Sequence, residues 1–266
     1  MVNIPIKHPL KSSRKTLAIV QGRMASSRLP DKILKDINGK PMLAWVVDQA
    51  RKAHLIDQVV VATTVDPSDD AVEFYCREND IQCFRGSMHD VLDRFYQAAR
   101  RYQADVVVRF TADCPLLDPQ LVDQVLEEFF KTGADFAANR LPPPFTRTYP
   151  IGLDTEVATF AALEKAWKEA DAKHDREHVM PYLYEVADRF KVVRVEYEKD
   201  FGWVRWTVDT PTDLELVRKL AIRIQDKPSF TWLDVLDIYL HVPGLAEINA
   251  DVKHRTMFDV DERYKK

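Results

Sequence analysis

Short apolar runs alternate with amphipathic stretches along the first half of the chain, and this alternation reads as successive βαβ units. Residues 17–20, 59–62, 81–84 and 106–110 are rich in Val and Ile and predict strands, whereas 42–53, 68–78, 91–102 and 119–131 carry helical spacing. Ser68-Asp69-Asp70 opens the second of these helices, and Asp118 with Pro119 supplies an N-cap and first-turn pair for the fourth. Strands connected in this way build a mostly parallel sheet covered on both faces, an α/β fold.

The pattern changes after Thr132. Leu141-Pro142-Pro143-Pro144-Phe145 fits neither a helix interior nor a central strand and is expected to form a substrate-side loop or arm. Residues 152–157 predict re-entry into a strand, 160–170 and 177–189 predict helices, 191–197 an edge strand and 203–208 a last strand. Thr210, Pro211 and Asp213 then form a helix start with N-cap, N1 and N3 residues, feeding a helix to Ile224, and 231–241 reads as a further helix before an irregular tail. No low-complexity linker or repeat divides the chain. One domain over 16–266 is expected, with an excursion at about 133–200. Residues 1–15, with Lys7, Lys11, Arg14 and Lys15, are expected to be a mobile tail.

Composition narrows the function classes. The chain has 266 residues, 46% of them hydrophobic, enough for a substantial core. With 38 basic against 42 acidic side chains the net charge is −4, which argues against nucleic-acid and membrane-surface partners, so any polyanion site must be local. Cys76, Cys83 and Cys114 are odd in number and lack C-x-x-C spacing, so reduced thiols in a cytoplasmic protein are expected. Neither a signal peptide nor a membrane span is read in the sequence.

One loop gathers positive charge. Val20-Gln21-Gly22-Arg23-Met24-Ala25-Ser26-Ser27-Arg28-Leu29-Pro30-Asp31-Lys32 follows the first strand and presents three cations, backbone N–H groups and two serines where phosphates would sit. It lacks the order of a Walker A loop. In open parallel sheets ligands bind beyond the carboxyl ends of the strands, and this loop, Asp113 and Asp209 each follow a predicted strand. Two carboxylates brought together repel unless a cation lies between them, and Mg²⁺ held by such a pair with substrate phosphates fits. Asp113 could equally form a turn, and Asp209 could support the helix N-terminus. His174 and His178, four residues apart, have transition-metal spacing without a third ligand. Asp90 and Arg94 have the spacing of a helical ion pair. Trp203, Trp206 and Tyr149 stand near strands, as ligand-stacking or core residues.

The loop resembles the Q-A-R-M-x-S-x-R-L-P-x-K signature of SpsF-type cytidylyltransferases and, more distantly, the A-R-x-x-S-x-R-L-P-x-K loop of CMP-KDO synthetases. Further matches follow in the family's order: Lys40-Pro41-Met42-Leu43, Phe84-Arg85-Gly86-Ser87, Asp113-Cys114-Pro115-Leu116, Gly152-Leu153-Asp154, Arg176-Glu177-His178 and Thr207-Val208-Asp209-Thr210-Pro211. The resemblance implies a Rossmann-like, GT-A-like three-layer sandwich and a CTP-dependent enzyme of surface-polysaccharide precursor synthesis. Such an enzyme moves CMP to a sugar acid or phosphorylated small-molecule acceptor and releases pyrophosphate. It assigns catalysis to Arg23 and Lys32 and nucleotide binding to Gln21, Gly22, Arg23, Ser26, Ser27, Arg28, Lys32, Arg85, Ser87 and Asp113. It further implies Mg²⁺ on Asp113 and Asp209, a homodimer using the excursion and His178 facing a sugar acid; Arg147, Asp154, Glu156 and His178 lie in the less regular second half, where acceptor specificity usually resides. Three positions depart from the pattern: Gly22 where Ala is usual, Ala25 where Gly is usual and Asp31 where Gly is common. Asp31 must therefore point away from the phosphates or meet a cation. Two other classes stay open. A glycosyltransferase would need an Asp-x-Asp motif, found here at Asp259-Val260-Asp261, and a nucleotide-binding module would keep the loop without turnover.

Overall fold

The computed structural model describes residues 13–141, 147–227 and 229–253. The proline run from Pro142, the Asp259-Val260-Asp261 spacing and the first twelve residues lie outside that set. In chain order the elements are β1 (Thr16–Gln21), β2 (Asp36–Ile37), β3 (Lys40–Pro41), α1 (Met42–Lys52), β4 (Gln58–Thr64), α2 (Asp70–Glu78), β5 (Gln82–Gly86), α3 (Val91–Arg101) and β6 (Val106–Thr111). There follow α4 (Pro119–Thr132), β7 (Phe136–Ala138), β8 (Glu156–Thr159), α5 (Phe160–Glu169), α6 (Lys173–His178), α7 (Pro181–Tyr184), β9 (Val192–Arg194), α8 (Pro211–Ile224) and α9 (Trp232–His241).

Seven strands form one sheet in the order β5-β4-β1-β6-β8-β7-β9, while β2 and β3 make a separate small hairpin. β1 pairs in parallel with both β4 and β6, so the loop after β1 and the turn after β6 leave the same edge of the sheet side by side. β8 runs against both β6 and β7 and is the one reversed strand of the seven. The central strands are apolar on both faces because both are covered. Ala18 and Val20 enter one core with Val61, Val108 and the residues of α1, α4 and α8. Leu17 and Ile19 enter the other, with Val60, Val107 and residues of α3 and α5. Each buried Val, Leu or Ile side chain among them contributes on the order of 1.5–3 kcal/mol, which holds the strand ends in fixed register beneath the site. This is the three-layer α/β sandwich expected.

The tail's described end is anchored. Lys15 donates its backbone N–H to Asp105 and its ammonium to Tyr102 O, and Arg14 lies over the rings of Phe129 and Phe130. Asp66 caps a tight turn at Pro67–Asp69, which delays the start of α2 from Ser68 to Asp70. Two expected elements are corrected. The helix predicted over 177–189 is replaced by two short ones, because Val179 takes φ 72°, a left-handed conformation a β-branched residue seldom adopts, and Pro181 begins α7 afresh. The strand predicted over 203–208 is reduced to a single bridge between Ile151 and Arg205. Its apolar residues still enter the core, Val204, Trp206 and Val208 being fully buried. Trp206 and Tyr149 are thus core residues, whereas Trp203 is 61% exposed.

Candidate active site

The cationic loop is fixed at several points. Gly22 N–H reaches Ala62 O on β4 at 3.3 Å, and Met24 N–H reaches the carboxylate of Asp69 at 2.7 Å. Asp69 is fully buried and also accepts from Thr64 N–H, so it couples the loop to the end of β4. Leu29 sinks into the core, and a short turn at Lys32–Leu34 then buries Lys32 and Ile33.

Lys32 is directed by that turn to the centre of the site. Its ammonium lies 2.6 Å from Asp113 Oδ2, 2.8 Å from Asp209 Oδ1 and 2.9 Å from Val208 O, so all three N–H bonds are used. Asp209 Oδ2 meets Arg28 at 3.0 Å and Arg205 at 2.8 Å. Arg205 in turn binds the fully buried Asp213, which also receives the backbone N–H groups of Asp209 and Thr210. The capping box that opens α8 is therefore supplied by Thr210 and Asp213, which leaves Asp209 to face the cleft. Burial works against ionisation of Asp209, yet Lys32, Arg28 and Arg205 outweigh it and hold its carboxyl well below the usual range. Burial likewise opposes the charge on Lys32, and Asp113 and Asp209 overcome it and raise its pKa.

A cleft of about 240 Å³ opens above this group, lined by Gln21, Gly22, Arg23, Ser26, Ser27, Arg28, Lys32, Asp113 and Asp209 among others. Asp113 and Asp209, 96 residues apart in sequence, converge on one cationic point and present only oxygen. That donor set suits a hard divalent ion held jointly with phosphates.

A second cavity of about 170 Å³ shares Thr111, Asp113 and Asp209 with the first. Asp154, Glu156 and His178 line it, as expected, and so do Arg109, Arg140 and Tyr184. Arg147 does not line it but clamps Asp154 with both guanidinium nitrogens. Glu156 is ion-paired with Arg109, whose Nε also reaches Gln21 at 2.9 Å, so a single arginine bridges the two cavities. Arg140 stands 3.7 Å from both Asp154 and Glu156, and those carboxylates keep its pKa high against the opposing effect of burial. Gly152 has φ 109°, and a Cβ there would stand 2.7 Å from Thr207 N, so only glycine permits the close approach of these two segments behind the cavity.

A model of the cytidylyltransferase family matches residues 17–232. The chain belongs to the cytidylyltransferase family. It is 36% identical over 251 residues to an uncharacterised protein of Methanocaldococcus jannaschii, covering 93% of this chain and all of that one. It is 28% identical to the spore coat polysaccharide biosynthesis protein SpsF of Bacillus subtilis, over 88% of this chain and 98% of that protein. Among solved structures it superposes on a cytidylyltransferase from Leptospira borgpetersenii with a TM-score of 0.82 at 30% identity, over 91% and 100% of the two chains. The fold extends to a CMP-2-keto-3-deoxy-manno-octonic acid synthetase complexed with CTP, with a TM-score of 0.61 at 21% identity over 79% and 99%. A nucleotidyltransferase of SpsF type, more distantly similar to the CMP-KDO synthetases, is what the sequence resemblance implied.

The departures from the family's loop now have physical reasons. Asp31 adopts φ 57°, the left-handed region that glycine occupies freely and Asp tolerates, and its side chain is exposed outside the cleft lining. At Gly22 an added Cβ would stand 2.8 Å from the Cβ of Ala112, so alanine there would require the turn after β6 to shift. Arg85 and Ser87 do not line either cavity. Arg85 binds Thr64 O, Asp66 O, Asp70 and Glu73, bracing the end of β4, while Ser87 Oγ accepts from Asp90 N–H. Asp90 caps α3 and pairs with Arg176, and the buried Arg94 reaches Ser87 O, which differs from the surface pair their spacing suggested.

Three arginines of the site were missed in the sequence. Arg109 interrupts Val106-Val107-Val108 and Phe110, and Arg205 interrupts Val204 and Trp206. A charge inside a buried apolar run is the signal that marks both. Arg140 carries no such signal. Among the described residues no helix is long and apolar enough to cross a membrane.

Proposed function

We propose that this family member is a CTP-dependent enzyme that transfers CMP to a hydroxyl or carboxyl oxygen of a small anionic acceptor, a sugar acid or a phosphorylated compound, releasing pyrophosphate. The convergence of Asp113 and Asp209 on Lys32 beneath the arginine-bearing loop carries this reading. Arg23, Arg28 and, once its ammonium gives up the two aspartates to the ion, Lys32 would neutralise the triphosphate, with backbone N–H groups and the serines of the loop as further donors. Asp113 and Asp209 would hold Mg²⁺, which when bound supplies charge neutralisation at the phosphates. The acceptor would occupy the cavity of Arg140, Asp154, Glu156 and His178, which meets the phosphate cleft at Asp113. That adjacency would hold an acceptor oxygen against the α-phosphorus, where orientation supplies much of the rate. Arg85 and Ser87 would act by positioning the loop next to the nucleotide. The enzyme would work in the cytoplasm, as a homodimer.

Pyrophosphate release from CTP, ATP, GTP and UTP against an acceptor library, with mass spectrometry of the product, tests the proposal. Release confined to CTP together with a new CMP adduct is the expected result. Tight CTP binding with no release from any acceptor would leave a binding module, and turnover of a CMP-sugar without pyrophosphate would indicate a glycosyltransferase.

A further inference from the structure

The sequence pairs His174 with His178 as candidate metal ligands, and the structure gives them different surroundings. His178 lines the acceptor-side cavity. His174 Nε2 lies 3.0 Å from each carboxylate oxygen of Glu185 and 3.7 Å from Asp175 Oδ1. Ligand atoms of these three residues all fall within 4.8 Å of one another.

Asp175 provides a separate observation. It is 6% exposed, and its Oδ1, the oxygen turned towards His174, is buried without a hydrogen-bond partner. A buried carboxylate oxygen with no donor is costly, and native proteins seldom leave one unless a proton or an ion serves it. Burial accordingly raises the pKa of Asp175, against the influence of His174 and the neighbouring Arg189 and Arg176. Nε2 has one proton to offer to three carboxylate oxygens. A cation at the same point would serve them all.

The spacings fit coordination. Nitrogen and oxygen ligands placed about 2.0–2.2 Å from a tetrahedral ion stand about 3.3–3.6 Å apart; His174 Nε2 is 3.0 Å from Glu185 and 3.7 Å from Asp175, and the two acids lie within 4.8 Å of each other. A mixed imidazole and carboxylate set suits zinc-class ions, whereas Mg²⁺ prefers oxygen alone.

We propose that His174, Asp175 and Glu185 bind a divalent transition-metal ion of the zinc class, in a site separate from the nucleotide cleft. His174 contributes Nε2, whose proton moves to Nδ1 or to solvent, and the two acids contribute one oxygen or more each. The ion joins α6 to the residue that follows α7, and these short helices carry His178 and Tyr184 of the acceptor-side cavity. Its role is to brace that wall.

The test uses the full chain, freed of metal by a chelator and titrated with Zn²⁺ by calorimetry and with Co²⁺ by visible absorption. One Zn²⁺ per chain is expected, with His174→Gln and Glu185→Gln each weakening it at least about tenfold and Asp113→Asn leaving it intact. Co²⁺ should give absorption bands that His174→Gln removes, and Zn²⁺ should raise the Tm of the wild type but not of Glu185→Gln. Both variants alter partly exposed side chains, and circular dichroism checks that they fold. Absence of a saturable site in the wild type overturns the proposal. So does a site that survives His174→Gln but disappears in Asp113→Asn, because that ion belongs to the cleft. Neither result depends on CTP turnover.

Discussion

The two cavities that meet at Asp113 are built on opposite plans. The phosphate-side cleft rests on adjacent parallel strands: its loop leaves β1, Asp113 follows β6, and Lys32 draws in Asp209 from the segment before α8. The acceptor-side cavity is assembled around the reversed strand β8 and the irregular segments that flank it. In the first, three cations from one loop face two acids. In the second, the lining arginines Arg109 and Arg140 face Asp154 and Glu156, so apart from the shared Asp113 and Asp209 the charges match before any ligand arrives. A cleft with an excess of one sign suits a fixed polyanion. A balanced one, with several groups able to exchange partners, suits selection among similar polar molecules.

The sharpest way to break this contrast is to remove an acid from the phosphate side. Asp113→Asn should lower kcat by roughly 10²- to 10³-fold, a loss of about 3–4 kcal/mol of transition-state stabilisation, while the acceptor KM changes little. Steady-state pyrophosphate release reads both quantities. An acceptor KM that moved as far as kcat would show that the cavities are not separable.

Lys32→Ala should have the next largest effect, about 10²-fold in kcat together with about tenfold weaker CTP binding by calorimetry. The same variant leaves Asp113 and Asp209 facing each other with their common partner gone. Mn²⁺ binding without nucleotide, followed by electron paramagnetic resonance, should therefore strengthen in Lys32→Ala, because ammonium and metal compete for one point. Equal Mn²⁺ binding in variant and wild type would remove Lys32 from that point.

These two predictions rest on residues that could be read from the sequence, and the reason is structural. A loop and two aspartates at strand ends belong to elements whose pattern is strong, since Val59-Val60-Val61 and Val106-Val107-Val108 can hardly be anything but buried strands. The acceptor side was legible only in part. Gly152 and Asp154 came from motif order and Glu156 from its place in the less regular second half, but Arg140 lies beside the proline run, where no periodicity exists to place it. The break at Val179 was hidden because a positive φ at valine contradicts local preference and is imposed by packing, Val179 and Met180 both being fully buried. Residues 203–208 show the opposite error: an alternation true to a strand's burial, without the neighbouring strand needed to pair it.

Arg140→Ala sharpens the comparison from the other side. Its guanidinium stands 3.7 Å from both acids, too far for hydrogen bonds, so it is the acceptor-side cation whose donors are least committed to protein. The variant should raise the acceptor KM about tenfold, about 1.4 kcal/mol, and leave CTP binding unchanged. Arg147→Ala should act more weakly, through loss of orientation at Asp154, and Arg147→Lys should not restore the two-pronged clamp.

The smallest expected effect concerns stability and pH. Asp209 is held ionised by Lys32, Arg28 and Arg205, so its folded-state pKa lies below its unfolded value of about 3.9. A depressed carboxylate contributes stability that is fully present above the unfolded pKa and is lost as pH falls towards the folded one. Asp209→Asn should therefore lower the free energy of unfolding by about 1–2 kcal/mol at neutral pH, and the difference from wild type should shrink below about pH 4. Urea titrations across the acid range measure it. A difference from wild type that did not shrink as the pH fell below about 4 would mean that Lys32, Arg28 and Arg205 do not preorganise the phosphate side, and the contrast between a fixed cleft and an adaptable one would fail on its own terms.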